Sequence, residues 1–247
     1  LRYGPRVYEM PVIRGGDRGA PMALAALDRA CAEWGFFQLV DHGVDARLLR
    51  ETLHQMRLFF GLPLARKRAV ERTRDNPWGF YDRELTKNVR DWKQIFDFGP
   101  AAGLQQPQWP ADLPAFRATM ERCHAAFEDV ARRIVAAIAE NLGAAPAALL
   151  ACFDGHSSYL RLNYYPVCDD PAPPDAPTMP ERGELAVHHH TDAGAVTVLL
   201  HDGRPALQVE HRGTWHTIEA RPDALVVNVG DVVQVWSNDR YRAPLHR

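Results

Sequence analysis

Along the first half of the chain apolar residues recur at helical spacing, and along the second half they fall into short runs broken by turn residues. Residues 6–13 read as an extended lead-in, followed by a loop at Gly15, Gly16 and Gly19. Pro21 is placed to open a helix over 21–34, with Leu24, Leu27, Ala30 and Cys31 on one face and Gly35 ending it. Phe36-Phe37-Gln38-Leu39-Val40 reads as a buried strand. Asp41-His42-Gly43 then turns into a helix over 45–60, with Leu48, Leu49, Leu53, Met56 and Phe60 on one side. Gly61 and Pro63 break it ahead of a basic helical stretch, 64–70. Residues 72–110 look irregular, yet a connection this long with so many aromatics should cover a site or pack a satellite cluster. A long helix is predicted over 113–142. Its stripe of Phe116, Met120, Phe127, Val130, Ile134 and Ile138 is assigned to core packing. Gly143 ends it, and 146–152 makes one more short helix.

From Ser157 the texture changes. Strands are predicted over 158–165, 185–190, 196–201, 207–211, 214–219, 225–229, 232–236 and 241–246, with turns such as His211-Arg212-Gly213 and Gly230-Asp231 between them. Between Cys168 and Arg182 lies a Pro- and Asp-rich loop, expected to be exposed. Many short strands at regular intervals suggest a sandwich or jelly roll. The expected fold class is mainly β with a helical N-terminal half, a double-stranded β-helix (jelly-roll) core flanked by helices. On that reading 1–152 is a mostly helical region packing on a core formed by 153–247.

Composition narrows the class. The 247 residues carry 29 basic and 31 acidic side chains, which gives no electrostatic support for a nucleic-acid or membrane partner. No apolar run reaches the length needed to span a bilayer. Cys31, Cys123, Cys152 and Cys168 are scattered without CxxC spacing, which argues against a zinc knuckle or a disulfide framework and fits a reducing cytoplasm.

The candidate chemistry is concentrated in His188-His189-His190-Thr191-Asp192. On a strand, His190 and Asp192 would point the same way. With His246 they supply two imidazoles and one carboxylate, the facial triad of non-haem Fe(II) oxygenases, which leaves positions open on the metal. A lone His-x-Asp also occurs by chance on wet surfaces, and a triple His resembles part of a purification tag, although this one is internal and flanked by strand-like runs. Asp231 is expected to shape the turn after Val229. His189, His201, His211 and His216 are expected to be solvated or strand-surface histidines, and His42 to serve a turn.

Several motifs in order make the chain resemble the isopenicillin N synthase-like branch of the non-haem iron(II), 2-oxoglutarate-dependent dioxygenases. They are Gly35-Phe36-Phe37-Gln38-Leu39-Val40-Asp41-His42-Gly43-Val44, Arg161-Leu162-Asn163-Tyr164-Tyr165-Pro166, His190-Thr191-Asp192, Asn228-Val229-Gly230-Asp231, Trp236-Ser237-Asn238 and His246-Arg247. The resemblance implies that His190, Asp192 and His246 hold Fe(II) and that Asn163 and Tyr165 help to hold 2-oxoglutarate. It implies O2 as the oxidant, succinate and CO2 as products, and an Fe(IV)-oxo species that abstracts hydrogen from a small-molecule C–H, leading to hydroxylation or desaturation. A family member using iron and O2 without 2-oxoglutarate, as isopenicillin N synthase does, is the alternative; a non-catalytic jelly-roll binding module is a further one.

One family feature is not seen. An Arg-x-Ser past the distal His clamps the far carboxylate of 2-oxoglutarate in the family, whereas His246 is followed only by Arg247, so the chain is expected to be incomplete there. Arg161 is an unfavoured substitute, and Arg247 is expected to face away. Pocket walls are expected from Trp78, Phe80, Tyr81 and Trp92, with Lys87 and Arg90 as cationic groups for a substrate carboxylate, although a solvated basic face explains those two as well.

Overall fold

The computed structural model describes residues 10–16, 22–155, 158–173, 175–176, 184–219 and 221–247. The expectations for residues 6–9, Gly19, Pro21 and, in the 168–182 loop, residues 174 and 177–182 lie outside them. In chain order the elements begin with β1 (Val12–Arg14), α1 (Leu24–Glu33), β2 (Phe36–Val40), α2 (Ala46–Phe60), α3 (Leu64–Arg68), β3 (Gly79–Tyr81), β4 (Leu85–Thr86), β5 (Val89–Arg90) and β6 (Gln94–Phe98). They continue with α4 (Pro114–Asn141), α5 (Pro146–Ala151), β7 (Leu160–Tyr164), β8 (Val196–Leu199), β9 (Gln208–His211), β10 (Thr214–Thr217), β11 (Leu225–Val229) and α6 (Asp231–Trp236).

The described residues form two compact units. One takes in the chain up to Gly43, Ala137–Ala144 and Thr191–His246. Its main sheet has the order β1-β2-β11-β8, with β2 parallel to β1 and antiparallel to β11. Every residue of β2 and β11 is buried, which is why both read as nearly unbroken apolar runs rather than alternating ones. Two residues, Gln38 and Asn228, are polar; Gln38 is satisfied at both ends of its amide, as Nε2 donates to the Glu219 carbonyl at 3.3 Å and Oε1 accepts from the Arg221 N–H at 2.7 Å. Gly35 joins α1 to β2 at φ +65°, and a Cβ there would stand 2.3 Å from the Arg242 carbonyl oxygen. Trp34, Phe36, Val209, Ile218 and Val226 form this unit's apolar cluster, and β9 and β10 form a hairpin.

The other unit contains Val44–Ala136, Ala145–His190 and Arg247. Asp45 caps α2, its carboxylate accepting from the Arg47 N–H at 2.8 Å. The buried face of α2 runs through Leu48, Thr52, Gln55, Phe59 and Phe60, one step round from the apolar side expected at Leu49, Leu53 and Met56. Phe59 and Phe60 pack with Phe80, Phe96, Phe98, Leu162 and, from α4, Phe116 and Met120. The predicted α4 stripe is buried throughout.

The segment 72–110 is more ordered than its sequence suggests. It holds the β4–β5 hairpin, and β3 and β6 build a sheet with β7 in the order β3-β6-β7. Phe80, expected on a pocket wall, is fully buried in the core. Across the β6–β7 register Arg161 faces Asp97. Its guanidinium donates to both Asp97 oxygens at 2.9 and 2.7 Å and to both Glu84 oxygens at 3.2 and 3.1 Å. Lys93 joins Glu84 at 3.0 Å and Asp91 at 3.2 Å.

Three predicted strands are absent. Residues 185–190 form an irregular stretch of bends that ends in an isolated bridge at His190 rather than a strand. Residues 232–236 belong to helix α6, which starts at Gly230 with Asp231 in its first turn, where a carboxylate suits the N-terminal end of a helix. Residues 241–246 contribute only an isolated bridge, Val209 to His246. The Trp236-Ser237-Asn238 motif makes the turn after α6: Ser237 Oγ accepts from the Tyr241 N–H at 3.0 Å, and Asn238 takes φ +52°.

Candidate metal centre

Asp192 precedes β8 in a stretch of bends, so its position depends on tertiary contacts rather than on strand geometry. The first turn of α6 fastens that stretch. Asp231 N–H donates to the Asp192 carbonyl at 2.8 Å, Gly230 N–H to Ala195 at 2.8 Å and Val232 N–H to Gly194 at 3.2 Å. The approach is close enough that a Cβ on Gly230 would lie 2.2 Å from the Gly194 oxygen and 2.6 Å from the Asp192 oxygen. Asp231 thus serves the turn, as expected, by its main chain.

The Asp192 carboxylate is oriented from one side. Its Oδ2 accepts from Thr197 Oγ1 at 2.6 Å and from Asn228 Nδ2 at 2.9 Å, and Oδ1 is turned toward His246 Nε2 at 3.6 Å. His246 is buried. Its ring stands edge-on to Phe36, its backbone bridges to Val209, and the Glu210 N–H donates to the Leu245 carbonyl at 2.8 Å.

Both imidazoles are held by the same device. His190 Nδ1 lies 2.8 Å from the His188 carbonyl and His246 Nδ1 lies 3.1 Å from the Pro244 carbonyl. A carbonyl only accepts, so each Nδ1 carries the hydrogen, which leaves each Nε2 as the atom that could be presented to a metal. One donor atom from each of His190, Asp192 and His246 lies within 4.8 Å of the others. Two imidazoles anchored through Nδ1 and one anchored carboxylate fit a divalent first-row metal.

The other predicted residues are placed as follows. Asn163 lies on β7 opposite Ile95, and Tyr165 directly follows that strand. Tyr165 as a residue is about half exposed, and desolvation of its phenol, with Asp91 adding to it, pushes that group up to about 12. Arg161 is engaged by Asp97 and Glu84. Arg247, expected to face away, is buried and donates to the Ala176 carbonyl at 2.8 Å. Lys87 and Arg90 are exposed on the β4–β5 hairpin. His42 is buried. His211, expected at the surface, is also buried, because its ring stacks on Trp34 with centroids 4.0 Å apart, and His216 meets the same indole edge-on. Thr197 and Asn228, which hold Asp192, went unremarked as contacts of the carboxylate. The only signal for Asn228 is the Asn228-Val229-Gly230-Asp231 motif, and Thr197 has none.

Residues 10–116 match the family described as non-haem dioxygenase in morphine synthesis N-terminal, and residues 156–247 match the 2OG-Fe(II) oxygenase superfamily. Jasmonate-induced oxygenase 4 of Arabidopsis thaliana is 33% identical over 97% of this chain and 67% of its own length. Gibberellin 20 oxidase 2 of Oryza sativa subsp. indica is 34% identical over 98% of this chain and 62% of its own. The crystal structure of JOX2 in complex with 2OG, Fe and JA superposes with a TM-score of 0.77 at 30% identity, covering 91% of this chain and 65% of that one. The chain therefore spans about three fifths to two thirds of the length of these relatives. The structural likeness bears out the jelly-roll fold class with its flanking helices. By its two matched regions and by relatives of this identity, the chain belongs to the 2OG-Fe(II) oxygenase superfamily.

Proposed function

We propose that the protein is an Fe(II)- and 2-oxoglutarate-dependent oxygenase that hydroxylates or desaturates a small molecule, with His190, Asp192 and His246 as the iron ligands. The observation that carries this is the convergence of those three side chains with both imidazole Nδ1 atoms tied to main-chain carbonyls. Iron with 2-oxoglutarate would supply O2 activation and attack on an unactivated C–H bond. The chain's own residues orient and exclude. His190 and His246 present Nε2, and Asp192 presents Oδ1. Asn163 and Tyr165 are the proposed contacts to 2-oxoglutarate: a side-chain amide and a phenol O–H both offer donors to a carboxylate. The segment 153–247 is proposed as the oxygenase core and 1–152 as the mostly helical region packing on it. The scattered cysteines support a cytoplasmic setting, and no described helix is long and apolar enough to cross a membrane.

Anaerobic titration with Fe(II) and then 2-oxoglutarate tests the reading. A visible charge-transfer band is expected, and it should disappear in His190→Ala and Asp192→Ala. Iron binding without a band would move the protein to the oxidase that works without 2-oxoglutarate. No iron binding would end the proposal.

A further inference from the structure

We infer that Thr197 and Asn228 are positioning residues that allow Asp192 to bind the metal through one oxygen only, and so keep the coordination positions that a chelating keto acid and O2 both need. The inference rests on the triad proposed above. The two donors come from different strands but are direct partners in the antiparallel register of β8 and β11. Direct partners present their side chains on the same face of a sheet, close together. Here both converge on a single atom, Asp192 Oδ2, at 2.6 and 2.9 Å, while Oδ1 is the oxygen on the His246 side.

The chemical consequence follows from counting positions. A carboxylate coordinating through both oxygens takes two of six sites; with two imidazoles that leaves two, enough for a bidentate keto acid or for O2 with one other ligand, but not for both at once. Coordination through Oδ1 alone leaves three. Hydrogen bonds to an ionised acceptor are among the stronger ones, and two on the same oxygen oppose its rotation toward a metal. The Asp231 N–H donates to the Asp192 carbonyl and Gly230 packs against the Asp192 and Gly194 oxygens, which anchors the backbone of the same residue and opposes a shift of the side chain as a whole. The Asn-Val-Gly-Asp motif therefore serves Asp192: Asn228 holds its carboxylate, Gly230 admits its backbone and Asp231 donates to it.

The test uses Co(II), a redox-stable probe whose visible bands report coordination number. Thr197→Val keeps the branched shape that suits a strand and removes only the donor; Asn228→Ala removes the other, and Thr197→Ser restores a hydroxyl. Thr197→Val and Asn228→Ala are expected to weaken Co(II) binding about ten- to a hundredfold, the scale for lost partners of metal ligands. They should also change the Co(II) spectrum and weaken the further spectral shift on adding 2-oxoglutarate, with Thr197→Ser close to the parent. A parallel melting curve identifies any variant that does not fold, and the Thr197→Val and Thr197→Ser pair then decides. Parent-like affinity and spectrum in a folded Thr197→Val and Asn228→Ala would overturn the inference while leaving the triad standing. Failure of the parent protein to bind Co(II) would remove the triad reading and this inference with it.

Discussion

The His246 ring stands edge-on against Phe36, with centroids 5.4 Å apart and planes at 68°. Phe36 opens β2, is almost fully buried and pairs through its backbone with Asn228. The strand that supports the distal imidazole thus also neighbours a residue that clamps Asp192. Phe36→Ala should cost about 3–5 kcal/mol in denaturant unfolding, the range for emptying a buried aromatic site. Phe36→Leu should cost less in stability yet still weaken Co(II) binding several-fold, because the edge contact that sets the ring's tilt is lost. Unchanged affinity in Phe36→Leu would show that the Pro244 hydrogen bond orients His246 without help.

Metal should stabilise the fold by mass action. A ligand bound only by the folded state at a hundred times its Kd adds about 2.7 kcal/mol. Thermal melts with Co(II) and with a chelator should differ accordingly for the parent protein and coincide for Asp192→Ala.

Gly230→Ala should be among the most damaging small substitutions. Its φ of −109° suits any residue, so the penalty comes from space alone: the new carbon would press on two carbonyl oxygens of the Asp192–Gly194 stretch. A loss of about 3 kcal/mol is expected from such overpacking, together with weaker Co(II) binding. Stability lost without affinity lost would mean that the two backbones separate without moving the carboxylate.

The expected strands at 185–190 and 232–236 show what a linear pattern leaves out. Val232-Val233-Gln234-Val235-Trp236 has the β-branched content of a strand, but the N–H groups of Asp231 and Val232 at its start are taken by the Asp192 and Gly194 carbonyls, and the stretch is helical. The His-x-Asp motif was legible because its chemistry depends on residue type and close spacing, although the strand geometry invoked for it is absent. Thr197 and Asn228 were not, since their joint action depends on a register between strands far apart in sequence. β3 to β6 were obscured in the same way: two- and three-residue strands carry no usable period, and β6 is defined by pairing with β7. Helices α1, α2 and α4 needed only local spacing, and they were found nearly to their ends.

Acid should loosen the Arg161 network at Glu84. Burial alone raises that carboxyl, but Arg161 and Lys93 beside it outweigh burial and hold it below its ordinary value near 4.5. Its stabilising contribution is complete above that value and is lost as pH falls through the lower folded one. Asp97 works in the opposite sense, because burial outweighs Arg161 there and raises it. Glu84→Gln should therefore cost about 2 kcal/mol at neutral pH, as expected for lost hydrogen bonds to charged groups, and flatten the acid limb of the stability curve below about pH 5. An unchanged acid limb would place the acid-sensitive group elsewhere.

The pairing of β2 with β11 also bears on synthesis. Phe36–Val40 emerges from the ribosome long before Leu225–Val229, the strand that covers its far edge. Until then one of the most apolar stretches of the chain has only β1 beside it, and an uncovered apolar strand edge is open to pairing with other chains. Closing such a distant pair is slow relative to forming local helices. Low yield and inclusion bodies during rapid expression are thus expected of this topology, and slower translation or a chaperone that shields extended apolar segments should raise the soluble fraction without altering the folded protein.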